Sequence, residues 1–387
     1  MTLRLCCVAN PYSIHTQRWL RHFAARGHEV HLIPASPEKG TVQPGAIPPG
    51  VVYHDVMART NVRKLRYLVW GLLTRRIVRQ IRPDLLHAHQ VTGPGWLAAA
   101  AGYHPFLVTA WGSDLLLGPR RSRAQNILAR WVLTRADYVT CVSKGLVGAA
   151  RALGADPART EDLPWGVDTG IFHPAPDSDS RDEIRARWRL VREPVVLSLR
   201  PLRPVYNPLD VARAMPLVLE RVPAALFVVR SYHPDPDLLT SFQAFVEEQG
   251  VAHAVRYVGD LAGDEEIAGL YRAADVAVSV PSSDGTPQSV LEALACGLVP
   301  VLSDIPALRD WVEHEQEGLF VPLGDPAALA DAIVRLLTGT DLRARLGWNA
   351  VQLIQARADS KTGMRRYEEL YKELGRRGRQ SGGYTAR

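Results

Sequence analysis

Short apolar runs and helical stretches alternate twice along this chain, and that double alternation limits the fold more than any other feature. In the first half, LRLCCVA (3–9), EVHLIPA (29–35), LLHAH (85–89), FLVTAW (106–111) and YVTCVS (138–143) read as strands. A helical stretch over 17–26 joins the first two, and Gly27 stops it. This is a βαβ unit and predicts a parallel sheet. In the second half, PVVLSLR (194–200), ALFVVRS (225–231), VRYVGD (255–260), VAVSVP (276–281) and LVPVLSD (298–304) are strand candidates. Helical patterns at 209–221, 265–274 and 289–295 separate them. The expected fold class is α/β: two Rossmann-like, doubly wound parallel-sheet domains in tandem. Ligands bind such sheets beyond the carboxyl ends of the strands, and two domains of this kind are expected to face each other across a cleft.

The segment 174–182 is rich in Pro, Asp and Ser and poor in apolar residues, so it reads as the boundary. The expected organisation is a first domain over 1–175, a linker over 176–192 and a second domain over 193–358. A helix over 359–376 is expected to cross back to the first domain, followed by a flexible tail over 377–387.

With 387 residues, 47% apolar and 22% charged, the chain can bury a core in each domain, which excludes a disordered or coiled-coil protein. It has no uninterrupted apolar run long enough to span a bilayer. MTLRLCCVAN lacks the pattern of a signal peptide and reads as the first strand. Cys6, Cys7, Cys141 and Cys296 sit in apolar surroundings without Cys-x-x-Cys spacing, the pattern of reduced core residues in a cytoplasmic protein. The net charge of +6 favours anionic partners. No nucleic-acid-binding motif is present, so nucleic acid is not expected among them. Part of the excess is local: Arg63, Lys64, Arg66, Arg75, Arg76, Arg79 and Arg82 crowd one segment. Over 62–83 that segment is basic and apolar together. A helical wheel places Val62, Leu65, Leu68, Val69, Leu72 and Leu73 on one face. It reads either as a core-facing helix with a basic rim or as a contact with an anionic membrane.

The chemistry concentrates in PSSDGTPQSVLEALACG (281–297), which leads from an apolar strand through a loop into a helix. Backbone amides at Thr286, Gln288 and Ser289 near a helix N-terminus suit an anionic diphosphate, and Pro287 fits the first turn. Glu292 lies on the helix, where a carboxylate can accept two ribose hydroxyls. Alternatively, Asp284 is only a cap and Glu292 a solvated carboxylate.

This segment resembles the acidic-x7-Glu signature of retaining glycosyltransferases of GT-B fold in family 4, the group 1 glycosyl transferases. Asp284, Gly285, Leu291, Glu292, Ala293, Cys296 and Gly297 carry the match. LPWGVDTGIFHP (163–174), YVGDLAGDEEIAGLYRAADV (257–276), RGHEVHL (26–32) and PDLLHAHQ (83–90) resemble further family stretches, in the family's order. The resemblance implies a nucleoside-diphosphate-sugar donor in the second domain and an acceptor in the first: a glycan, a lipid-linked acceptor or a small molecule. It implies the base near Val258, Gly259 and Leu261, the ribose on Glu292, and the diphosphate on Arg200 and the Thr286–Ser289 amides. Asp284 would meet sugar hydroxyls. The family needs no metal or cofactor, and Asp235-Pro-Asp237 reads as a turn and helix cap rather than a cation site.

Four departures mark this chain. The family's Arg–Lys pair is incomplete: Arg200 stands, but Val205, Tyr206 and Asn207 occupy the lysine's place, and Arg203 is the candidate second cation. Trp111 replaces the family histidine and can pack on a sugar but not exchange a proton. Asp114 then either binds an acceptor hydroxyl or caps a helix. The first loop lacks the glycine pair and offers Ser13, His15 and Thr16, as acceptor-side or reacting-centre groups or as a capping turn. Asp284 is one methylene shorter than the usual Glu. On the strand at 85–89, His87 reads as a core residue and His89 as acceptor-side. Expected catalytic residues are Asp284, Arg200, Arg203 and His15. The implied function is retaining, metal-independent sugar transfer to a hydroxyl. The rival is a nucleotide-sugar-binding protein weakened in transfer by the missing Lys and His. A Rossmann oxidoreductase is disfavoured, because ANPYSIH follows the first strand where Gly-x-Gly-x-x-Gly is needed.

Overall fold

The structure is a computed structural model and describes residues 2–35, 47–56, 66–190 and 192–380. The chain divides into one unit of Met1–Pro164 with Met364–Arg387, and a second of Trp165–Gly363.

The first unit holds a seven-stranded parallel sheet: β1 (Arg4–Ala9), β2 (Glu29–Pro34), β3 (Val51–Tyr53), β4 (Leu85–His89), β5 (Phe106–Ala110), β6 (Tyr138–Cys141) and β7 (Thr160–Asp162). Their spatial order is β3-β2-β1-β4-β5-β6-β7. The order reverses between β1 and β4, the switch point where a doubly wound sheet opens to a ligand. β4 and β5 are buried along their whole length, as strands covered on both faces must be. The C-terminal helix Ser360–Gln380 is anchored in this unit by aromatics. Trp19 Nε1 donates to the Tyr371 hydroxyl at 2.9 Å, Tyr371 stacks on Phe23, and Tyr367 meets Trp19 edge-on at 4.3 Å. The helix includes residues 377–380 of the expected tail, and 381–387 lie outside the described residues.

The second unit holds a six-stranded parallel sheet: β8 (Val195–Ser198), β9 (Leu226–Arg230), β10 (Val255–Val258), β11 (Val276–Ser279), β12 (Val299–Ser303) and β13 (Leu319–Val321). The order is β10-β9-β8-β11-β12-β13, with its switch point between β8 and β11. Alternation along β8 builds a core on each face: Val195 and Leu197 enter one cluster with Leu291 and Leu294, and Val196 enters the other with Met215 and Phe227. All four cysteines are buried free thiols.

Three expectations need correction. The segment expected as linker, 176–192, contains the helix Ser178–Arg187. Asp177 caps it by accepting from Ser180 N, and buried Arg185 ties it to Ala273 O, Glu193 O and Asp275. Arginine contacts rather than an apolar stripe hold it, so the sequence pattern does not show it. The first helix starts at Ile14, earlier than expected. In the helix Arg66–Ile81 the buried face is Trp70, Thr74, Val78 and Ile81. Leu68 and Leu72, on the face that reads either as core-facing or as a membrane contact, do not face the core: they are 67% and 68% exposed, while Val62 and Leu65 lie outside the described residues.

Candidate functional site

The expected donor-side residues gather at the switch point of the second sheet. Arg200 follows β8, and Ser279 ends β11 beside it. Arg200 Nε donates to Ser279 Oγ at 3.0 Å, and its Nη2 donates to Asp284 in the loop after β11. Both side chains of the ion pair are nearly buried. Burial works against the Arg200 charge, but Asp284 with Tyr206, Tyr232 and Tyr271 outweighs it and holds the guanidinium above its usual pKa. The other Asp284 oxygen accepts from Gly285 N at 2.8 Å. Asp284 is thus paired with Arg200, not merely capping.

The helix Gln288–Ala295 points its N-terminus into this loop. Pro287 stands before the helix, as its cap, rather than in its first turn. At φ −78° and ψ 64° it forms an inverse γ-turn, closed by Gln288 N donating to Thr286 O at 2.8 Å. The Gln288 amide expected to face a diphosphate is therefore already used. Near the same helix end, buried Ser289 Oγ has no partner. Glu292, one turn further, is 5% exposed and accepts from Gln288 Nε2 at 3.4 Å, so it is not a solvated helix carboxylate. Gln288 also donates to Gly166 O at 3.0 Å. Burial and then the Glu292 charge push the Tyr271 hydroxyl well up in pKa.

Val258 ends β10, and Gly259 and Leu261 follow in the loop; Val258 and Leu261 are half-buried against the core and Gly259 is exposed. Arg203 does not join the cluster: it is exposed, and its Nε turns to His233 O at 3.3 Å. It precedes the turn at Pro204–Tyr206, which ends on a left-handed Asn207. Asp235 caps the helix Pro236–Glu248 by accepting from Leu238 N at 3.1 Å. Sequence reading missed Tyr232, Tyr271 and Ser279, which lie in segments legible only as strand ends and helices, and gave Tyr206 no role beyond standing in the lysine's place. The Arg200 guanidinium sits 5.1 Å from the Tyr206 ring centroid.

In the first unit the expected acceptor-side residues meet at the β1/β4 switch point. Ser13 precedes the helix Ile14–Ala25 without a side-chain cap bond, and Thr16 is fully buried. Half-buried His15 meets Trp111 edge-on, with centroids 5.7 Å apart, and Trp111 lies 5.6 Å from His89. His89 is 2% exposed, both its ring nitrogens lack hydrogen-bond partners, and burial followed by the nearby His15 lowers its pKa to about 3. It is a neutral ring beneath Trp111. Asp114 is corrected: it is buried and accepts from Val91 N, Trp111 N and Gly112 N. Its carboxylate shapes the loop that carries Trp111 and is not presented to an acceptor.

Among the described residues the single His, Cys and carboxylate cluster with ligand-like proximity is Cys7, His87 and His89. His87 uses both nitrogens, on the Tyr371 hydroxyl at 2.6 Å and Thr109 Oγ1 at 2.7 Å. It therefore has no lone pair to give a metal.

Comparison with known proteins matches residues 4–143 to the family described as "Glycosyl transferase 4-like" and residues 180–353 to "Glycosyl transferases group 1". A D-inositol 3-phosphate glycosyltransferase of Salinispora arenicola is 33% identical over 287 residues, covering 69% of this chain and 64% of its own. A GDP-mannose-dependent alpha-(1-6)-phosphatidylinositol monomannoside mannosyltransferase of Mycobacterium tuberculosis is 30% identical over 231 residues, covering 57% of this chain and 58% of its own. The matched part of the chain thus spans less than two thirds of the length of these relatives. Anabaena HepE in complex with UDP and glucose superposes with a TM-score of 0.79 at 18% identity, covering 96% of this chain and all of that one, and this likeness gives the fold as GT-B.

Proposed function

The chain belongs to glycosyltransferase family 4, with its 4-like and group 1 domains in tandem, and from that premise we propose that it transfers a sugar from a nucleoside-diphosphate sugar to an acceptor hydroxyl, with retention at the anomeric carbon. The observation that carries the reading is the cluster at the β8/β11 switch point, where Arg200, Asp284 and buried Glu292 meet the N-terminus of the helix Gln288–Ala295. Glu292 accepts the ribose hydroxyls, Arg200 and the helix N-terminus at Ser289 hold the diphosphate, and the base lies along Val258–Leu261.

In this reading the departing phosphate oxygen takes the acceptor proton as the new bond forms on the same face. No side-chain base is then required. That agrees with Trp111 in place of the family histidine and with a neutral His89 beneath it. The charge of the leaving diphosphate is met by guanidinium and amide dipoles, so the reaction proceeds without a divalent ion. Acceptor binding falls to the first unit, where His15 and Trp111 offer a polar edge and a sugar-packing face. The protein works in the cytoplasm, and the helix Arg66–Ile81 brings it to an anionic membrane that holds or adjoins the acceptor.

The test is thermal-shift screening with UDP-, GDP- and ADP-sugars, then a donor-turnover assay with and without EDTA. A ligand at 100 times its Kd stabilises by about 2.7 kcal/mol. Stabilisation by one donor class, with EDTA-resistant turnover giving the donor's own anomer, is the expected result. No stabilisation by any of the three rejects the donor reading, and turnover lost to EDTA and restored by Mg²⁺ or Mn²⁺ rejects metal independence.

A further inference from the structure

Two arginines of the second unit are buried, and they are treated differently. Arg185 is bonded to two carbonyls and to Asp275. Arg230 is 6% exposed, and its buried Nε has no hydrogen-bond partner. Among the described residues it forms no ion pair, and its guanidinium only stands over the Tyr232 ring, 4.8 Å from the centroid. A cation removed from water without a counter-charge costs several kcal/mol by the usual order of magnitude, and folds keep such groups where a ligand completes them.

The position of Arg230 says which ligand. It is the last residue of β9, the strand beside β8, so it stands at the carboxyl end of the sheet one strand from Arg200. Its charge acts on Tyr232 and Tyr271, and Glu292 acts on the same two hydroxyls; Arg200 also reaches Tyr232. These five groups therefore lie within electrostatic reach of one another at the carboxyl end of the sheet. There the Arg200 charge is met by Asp284, and Glu292 adds a negative charge. Without Arg230 the side chains of Arg200, Asp284 and Glu292 leave one net negative charge facing a dianion, and Arg230 cancels it. Arg203, the sequence candidate for the missing lysine, points elsewhere.

We propose that Arg230 is the second cation of the donor site, and that its guanidinium binds the diphosphate of the nucleoside-diphosphate sugar from the β9 side in place of the absent family lysine. This rests on the donor reading above. A planar guanidinium held over a tyrosine ring can present two parallel N–H groups to phosphate, which an ammonium on the β8 loop cannot.

The test is calorimetric titration of UDP, GDP and ADP into the full-length protein and into Arg230→Met, Arg230→Gln and Arg230→Lys, with the melting temperature of each unliganded variant. For the nucleotide that binds the wild type, Arg230→Met and Arg230→Gln should lose affinity about tenfold or more, and Arg230→Lys, which keeps the charge but not the planar fork, should lose clearly less than they do. The unliganded neutral variants should melt no lower than wild type, because they no longer bury an unmatched charge. Arg230→Gln decides the matter if Arg230→Met does not fold. Neutral variants that bind the nucleotide as wild type does, or a Lys variant that loses as much as the neutral ones, overturn the assignment while leaving the donor reading intact. A wild type that binds none of the three nucleotides overturns both.

Discussion

The Arg200 guanidinium and the Asp284 carboxylate form a nearly buried ion pair, with Ser279 Oγ bonded to the Nε edge of the same guanidinium. The pair joins the end of β8 to the loop after β11. Asp284→Ala leaves a guanidinium buried without its counter-charge and should destabilise the second unit by about 3–5 kcal/mol in urea denaturation. Asp284→Asn, which can still accept from Arg200, should cost clearly less. Equal stability of wild type and the alanine variant would show that the pair is solvated rather than structural.

Glu292→Gln keeps shape and hydrogen bonding but removes the charge. If the carboxylate holds the ribose, donor Kd should rise about tenfold or more, equivalent to about 1.5–3 kcal/mol for a charge-assisted bond. The Tyr271 hydroxyl, held up in pKa by burial and then by Glu292, should titrate lower in this variant. Unchanged donor affinity in a folded variant would remove Glu292 from the ribose site.

Ten of the thirteen strands were legible because each is an apolar run bounded by turn residues; β3, β7 and β13, of three residues each, are too short to show a pattern. The acidic-x7-Glu spacing located Asp284 and Glu292, and the family's Arg–Lys pair pointed to Arg200. Three further things were not legible, each for a physical reason. The helix Ser178–Arg187 is fastened by arginine bonds to carbonyls, which leave no periodic apolar stripe. Asp114 and Gln288 look like exposed functional groups in sequence, and only the folded loops show that their polar atoms are already engaged by backbone. Arg230 ends an otherwise apolar strand, ALFVVR, and a charged residue closing a buried strand at the carboxyl end of a doubly wound sheet is the signal that would have found it.

The two histidines of β4 predict an acid sensitivity. His89 is held at a pKa of about 3 by burial and then His15, and burial also holds His87 well below its usual value. In the unfolded chain both titrate near 6.5, so between pH 6.5 and the folded values the unfolded state binds more protons. Stability should therefore fall as pH drops below 6.5, by about 1.4 kcal/mol per unit for each histidine. His89→Phe should shallow the slope by about one proton, read from urea midpoints between pH 4.5 and 7. A slope unchanged by the substitution would mean that the His89 ring is protonated in the folded protein.

The helix Arg66–Ile81 bears on the proposed membrane contact. No helix among the described residues is long and apolar enough to cross a membrane. This one instead buries Trp70, Thr74, Val78 and Ile81 and turns Leu68 and Leu72 outward. Arg76 and Arg79 continue the exposed face one and two turns on, with Arg75 half-buried at its margin. Two leucines left in water beside a row of guanidiniums suit an anionic bilayer surface: the leucines enter the headgroup boundary and the arginines meet lipid phosphate. Each arginine near such a surface contributes about 1 kcal/mol, and the contribution is screened by salt. The protein should co-sediment with phosphatidylglycerol-containing vesicles at low ionic strength and be released at high salt. Leu68→Ser with Leu72→Ser should weaken the salt-resistant part of binding, and Arg76→Glu should weaken the salt-sensitive part, with the fold preserved because these side chains face outward. If the wild type ignores anionic vesicles at low salt, or if both sets of variants bind as it does, the helix is not a membrane contact and the acceptor is met in solution.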